Sequence, residues 1–172
     1  MPLKPVRPPY SKTKADMHRS RVQIDKMLER FGITHTNWNI DTENAKVELT
    51  FVIELPPELQ RPDQPKALLI NIRPPLFVTY HRTWNPQTGK SERTPMPNYA
   101  QTFRLLYYYL KAKIESICYG LVYAEHEFMP QRVVKTAEGE VTTIGAIVDQ
   151  RRLALQELGE TAKALPQPEK PV

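Results

Sequence analysis

Residues 47–55 read VELTFVIEL, and this stretch decides the fold. Val47, Leu49, Phe51, Ile53 and Leu55 alternate with Glu48, Thr50, Val52 and Glu54. Successive side chains of a strand point to opposite faces, so the pattern predicts a strand with one covered and one open face. Sheets of that kind are antiparallel. Just upstream, Thr34 to Ile40 is β-branched and aromatic, and Asp41 to Asn44 supplies turn chemistry between two paired strands. Pro56 and Pro57 end the central strand. A third strand is expected from Ala67 to Arg73, interrupted by Pro74 and Pro75, with Leu76 to Tyr80 as an edge continuation.

Helices flank these strands. Met17, Ile24, Met27, Leu28 and Phe31, with Val22 at the margin, make one stripe over residues 14–31. Thr13 is the expected cap, Asp16 its capping-box partner, and Gly32 the stop. A second helix is predicted over Tyr99 to Val122, capped by Asn98, with Phe103, Leu106, Leu110, Ile114, Ile117 and Leu121 on its apolar side. Phe128 to Val134 reads as a short strand, residues 138–140 as a turn, and Ile144 to Leu158 as a last helix capped by Thr143. The class is therefore α+β: a three-stranded antiparallel sheet plus a short hairpin, helices on one face, in the order α-β-β-β-α-β-α.

The 172 residues suit one domain over 13–160, between a proline-rich basic arm at 1–12 and a disordered proline-rich tail at 161–172. Residues 81–98 read as a long polar connecting loop. No stretch approaches the roughly 20 apolar residues that span a bilayer, and the start lacks the apolar core of a signal peptide. Cytoplasmic location without membrane contact is the expectation. The single cysteine, Cys118, forms no internal disulfide and falls on the apolar side of the second helix, as a small buried hydrophobe would.

The net charge of +5 is unevenly spread: +5 over residues 1–35, −4 over 36–60, +6 over 61–115 and −2 over 116–172. Two basic segments therefore alternate with two acidic ones, which suggests a polyanion-binding face. Three places carry the cations. On the second helix Arg104, Tyr108 and Lys111 share a narrow arc with Glu115, and Tyr107 flanks it. The arm holds Lys4 and Arg7, and the 81–98 loop holds Arg82, Lys90 and Arg93 with Trp84. Guanidinium and ammonium groups neutralise phosphates, and aromatic rings stack on exposed bases. Each feature also has a plainer reading: tyrosines packed on neighbouring elements, a Lys111–Glu115 helix pair, a solvated arm and loop. Trp38, in a strand, is expected in the core.

Catalytic patterns are sparse. There is no glycine-rich phosphate loop, no zinc-ligand spacing and no nucleophile elbow, so no cofactor is implied. His18, His35 and His81 have no paired ligand spacing. Glu125, His126 and Glu127, with Glu115 earlier, are the one carboxylate–histidine group on which a metal-dependent nuclease could be built, but their sequential order points the side chains apart.

Lys14 through Leu28 to Gly32, Arg104-Leu-Leu to Lys111-Ala-Lys-Ile-Glu115, and Gly120 to Glu127-Phe128 resemble a group of small uncharacterised proteins encoded in phages and prophages. The resemblance covers about a third of the chain. It implies a viral or mobile-element setting and brings no catalytic residue. The expectation from the residues is a non-enzymatic nucleic-acid-binding protein. The alternatives are a structural or interaction protein, with a protein partner or a second copy in a virion or host-takeover complex, and a metal-dependent nuclease.

Overall fold

The computed structural model describes residues 9–55, 66–87 and 89–164, and over 155–164 the backbone alone. The expected α+β class and element order are present. Strands β1 (Thr36–Asp41), β2 (Lys46–Glu54) and β3 (Ala67–Ile72) form an antiparallel sheet in that order. Trp38 lies opposite Leu49, Leu49 opposite Ile72, and Phe51 opposite Ile70, so these side chains share a face. Helices α1 (Met17–Arg30) and α2 (Tyr99–Cys118) cover that face. Ile24 and Leu28 from α1, and Leu106, Leu110 and Ile114 from α2, are buried against Leu49, Phe51, Leu68 and Ile70. Trp38 stacks on Phe103 at 5.2 Å between centroids and donates its indole N–H to Asp25 at 2.8 Å. The polar face carries a lattice of its own: Asn71 donates to Thr50, Asn39 donates to Glu48, and Arg73 pairs with Glu48.

The β1–β2 turn rests on Asp41, whose carboxylate accepts the N–H groups of Glu43 and Asn44. Those bonds, that of Asn44 first, hold the carboxyl below its ordinary range.

Helix boundaries differ from expectation where caps compete. Asp16, not Thr13, caps α1: its carboxylate accepts the Arg19 N–H at 2.6 Å, while Thr13 accepts that of Ala15. A charge-assisted bond at a helix start outweighs a hydroxyl three residues too early. Phe31 and Val22 are exposed, leaving Ile24 and Leu28 to anchor the stripe. Gly32 stops the helix with φ +78°, as expected. Asn98 caps α2 as expected, accepting the Gln101 N–H at 3.0 Å. Yet α2 ends at Cys118 instead of Val122, because Gly120 turns left-handed at φ +69° and sends its N–H back to Ile117. Beyond that turn the helical phase is lost, so Leu121 is 80 % exposed. Cys118 is exposed as well, contrary to its expected burial.

The largest departure lies between β3 and α2. The 81–98 segment is not a loop, and Leu76 to Tyr80 does not extend β3. Instead β4 (Val78–Asn85) and β5 (Lys90–Pro97) form a separate two-stranded antiparallel ribbon. Pro95 and Pro97 sit inside β5. Proline lacks the N–H that an inner strand must donate, but either strand of a two-stranded ribbon is an edge.

After α2 the predicted strand from Phe128 is mostly helical turn. A short helix α3 (Ala124–Glu127) and a 3₁₀ turn (Met129–Gln131) precede β6 (Val133–Lys135), which pairs with β7 (Val141–Thr143) in the expected short hairpin. Pro130 supplies the helical φ that the turn needs. Phe128 is fully buried with its ring edge toward Phe51, and Arg132 bridges to Ile70 at the β3 edge. Helix α4 (Ile144–Ala164) starts at Thr143, whose hydroxyl accepts the Ala146 N–H. Among the described residues no helix is long and apolar enough to cross a membrane.

Candidate nucleic-acid interface

Cross-strand partners on an antiparallel pair share a face, and faces alternate along each strand. Val78 lies opposite Pro97, Tyr80 opposite Pro95, Arg82 opposite Arg93, and Trp84 opposite Ser91. One side of the ribbon thus presents Tyr80, the two arginines and Trp84 in a row. Both rings are 67 % exposed. The other side presents Thr79, His81, Thr83, Thr94, Glu92, Asn85 and, at the tip, Lys90.

Hydrogen-bond register sharpens this picture. The Asn98 N–H donates to Phe77 O at 2.7 Å, so the pair just below Val78–Pro97 is a hydrogen-bonded one. Alternation then makes Val78–Pro97, Tyr80–Pro95 and Arg82–Arg93 non-hydrogen-bonded pairs, which is where prolines fit. Side chains approach more closely at such pairs, and like charges facing each other there are destabilising. Neither Arg82 nor Arg93 makes an ion pair with a described carboxylate. The carboxylate of the ribbon, Glu92, is on the opposite side, where it accepts from Asn85 at 3.1 Å; Thr83 and Thr94 bond each other beside it at 2.5 Å.

The ribbon root is fixed to the body. Thr102, fully buried in the first turns of α2, accepts the Phe77 N–H at 3.2 Å and donates to Pro75 O at 3.3 Å. Thr102→Val keeps the shape and removes both bonds. It is expected to cost about 1–2 kcal/mol, because a half-buried backbone N–H is left unmet. A urea melt measures the loss, and hydrogen exchange at Phe77 should accelerate with it.

The α2 candidates have partners within the molecule. Arg104 donates to Gln23 at 2.7 Å and to the Tyr108 hydroxyl at 2.8 Å, and its guanidinium lies 5.0 Å from the Tyr107 ring and 4.7 Å from that of Tyr108. Tyr10 stacks on Tyr108 at 4.9 Å and 13°, occupying a ring face. Pro9 O accepts from the buried Gln101, so the end of the arm is laid on α2. Lys111 pairs with Glu115 at 3.6 Å. Lys4 and Arg7 lie outside the described residues.

The carboxylate–histidine group does not assemble. Glu127 is held by Lys113 at 2.7 Å, and Glu115 by Lys111. Among the described residues no three histidine, cysteine, aspartate or glutamate side chains converge as metal ligands would. A groove of about 560 Å³ opens between the end of β3, α2 and the start of α4, but its walls are mainly apolar, including Leu105, Leu106, Pro130 and Ala146.

Of the residues that charge and ring chemistry single out, then, Arg82, Arg93 and Trp84 come together, Lys90 stands on the reverse side at the tip, and Arg104, Tyr108 and Lys111 are engaged elsewhere. Tyr80 joins the group only through the fold. Its signal in the sequence is the alternation from Val78 to Trp84 with the turn residues Asn85, Pro86 and Gly89, which the prolines of β5 obscure. Comparison with protein-family models, curated proteins and solved structures finds no match to this chain.

Proposed function

We propose that this chain is a non-enzymatic nucleic-acid-binding protein that grips phosphates with the β4–β5 ribbon, in the phage or mobile-element setting its resemblance implies. The observation that carries the reading is the Arg82–Arg93 pair: two arginines opposite each other on one face, without a described carboxylate partner, between two exposed rings. A polyanion between them relieves their repulsion and gains charge-assisted hydrogen bonds. Lys90 adds a cation at the tip.

Fluorescence anisotropy with a labelled oligonucleotide, at about 50 and 200 mM salt, tests this. Binding is expected at the lower concentration, with log K falling against log salt at a slope of about −2, as for two or three phosphate contacts. No binding at low salt, or binding indifferent to salt, would overturn it.

A protein-interaction role is favoured by a different observation. The ribbon has no further strand partner among the described residues, and Val78 and Met96 are exposed near its root. Light scattering would support that role by showing a stable oligomer unaffected by DNA or RNA.

A further inference from the structure

We infer that the ligand of the ribbon is single-stranded nucleic acid, held by stacking of unpaired bases on Tyr80 and Trp84 with the intervening backbone on Arg82 and Arg93. This rests on the nucleic-acid reading above and narrows it. Tyr80 and Trp84 are four residues apart on β4 and on the same face, hence about 13 Å apart along the strand. The arginine pair lies midway. Ring, paired cations, ring is the order a single strand needs when its bases turn to one side and its phosphates follow between them.

A duplex fits this face poorly. Its base faces are already stacked on one another, so each ring would have to wedge between base pairs at an unstacking cost. In a groove the two arginines would reach phosphates or base edges, but Tyr80 and Trp84 on either side of them would gain no base to stack on. On the reverse side of the ribbon Thr83 and Thr94 bond each other, Asn85 bonds Glu92, and the glutamate repels phosphates. On the aromatic side both rings are two-thirds exposed, so their faces are open to a base without displacing a packed neighbour.

Tryptophan fluorescence separates the outcomes, because the chain has two tryptophans in unlike settings. Trp38 is stacked on Phe103 and tied to Asp25, whereas Trp84 is open to stacking. The full chain is titrated with a thymidine oligomer of about twenty nucleotides, the matching uridine oligomer, and a duplex of equal length. Both single strands are expected to bind at least about tenfold more tightly than the duplex and to quench the emission. DNA and RNA should bind alike, since base faces and phosphates are common to both. Trp84→Phe should abolish the quenching and keep most of the affinity. Trp84→Ala should lower single-strand affinity roughly tenfold to a hundredfold, the value of one stacked base. Duplex binding as tight as single-strand binding, or single-strand affinity unchanged in both Trp84→Ala and Tyr80→Ala, overturns this inference and leaves the nucleic-acid reading standing. Absence of binding to all three probes removes both.

Discussion

Replacing Arg82 and Arg93 together by alanine is expected to lower nucleic-acid affinity by about a hundredfold at low salt and to leave the protein no less stable. Each charge-assisted contact to a phosphate contributes about 1.5 kcal/mol or more, near a factor of ten. Loss of two phosphate contacts should also flatten the salt dependence by about 1.4 units of slope on a single strand. The fold should not suffer, because the substitution removes two like charges that face each other and have no described ion-pair partner. Arg104→Ala makes the contrasting control. That guanidinium braces Gln23, Tyr107 and Tyr108, so its removal should lower the melting temperature while affinity stays. An anisotropy titration and a thermal melt on the same samples distinguish the two behaviours. Equal affinity in the Arg82/Arg93 variant and the wild type would mean that the ribbon is not the gripping element.

Phe128→Ala should produce the largest loss of stability, about 3–5 kcal/mol. The ring is fully buried, meets Phe51 edge-on at 5.7 Å and 86°, and lies 5.3 Å from the Lys113 ammonium. Truncation opens a cavity between the sheet and the segment that follows α2, and Lys113 loses one of its two aromatic neighbours. For a chain of this length the melting temperature should fall by about 10 °C. Circular dichroism melts measure it. A shift of only a degree or two would show that the segment from α3 to β6 contributes little to holding the core. At a temperature where the variant is still folded, its affinity for an oligonucleotide should match the wild type, because the proposed contacts are on the ribbon and Phe128 is not part of it.

Regular patterns make the body legible in the sequence. The alternation in β2 and the stripe on α2 each specify a buried face by spacing alone, and both faces meet in one core. The Asp41 turn, the Asn98 and Thr143 caps and the Gly32 stop are legible because a single residue type satisfies each local need. The ribbon is not, for two physical reasons. Its faces are both largely exposed, so hydrophobic alternation, the usual mark of a strand, is weak; and two prolines in β5 argue for a loop unless the strand is an edge. The site suffers accordingly. Arg82, Arg93 and Trp84 stand out as cations and an aromatic, but only the cross-strand register sets the arginines opposite each other and brings Tyr80 to their side. On α2 the reverse holds: helical spacing correctly groups Arg104, Tyr108 and Lys111, yet gives no sign that Tyr10, Gln23 and Glu115 already engage them.

Pro95 and Pro97 carry one more consequence. At the non-hydrogen-bonded positions of β5 a residue turns its amide away from β4, toward the outside, and here those two places have no amide hydrogen at all. An incoming strand would find no donor at those two places and meets one only at Arg93 and Ser91 nearer the tip, so pairing along the root half of that margin is disfavoured. The β4 margin has no proline and keeps its full set of outward groups, so it is the margin on which a further strand adds more readily. The two prolines thus bias any edge-to-edge joining of ribbons toward a single pairing and away from an endless stack.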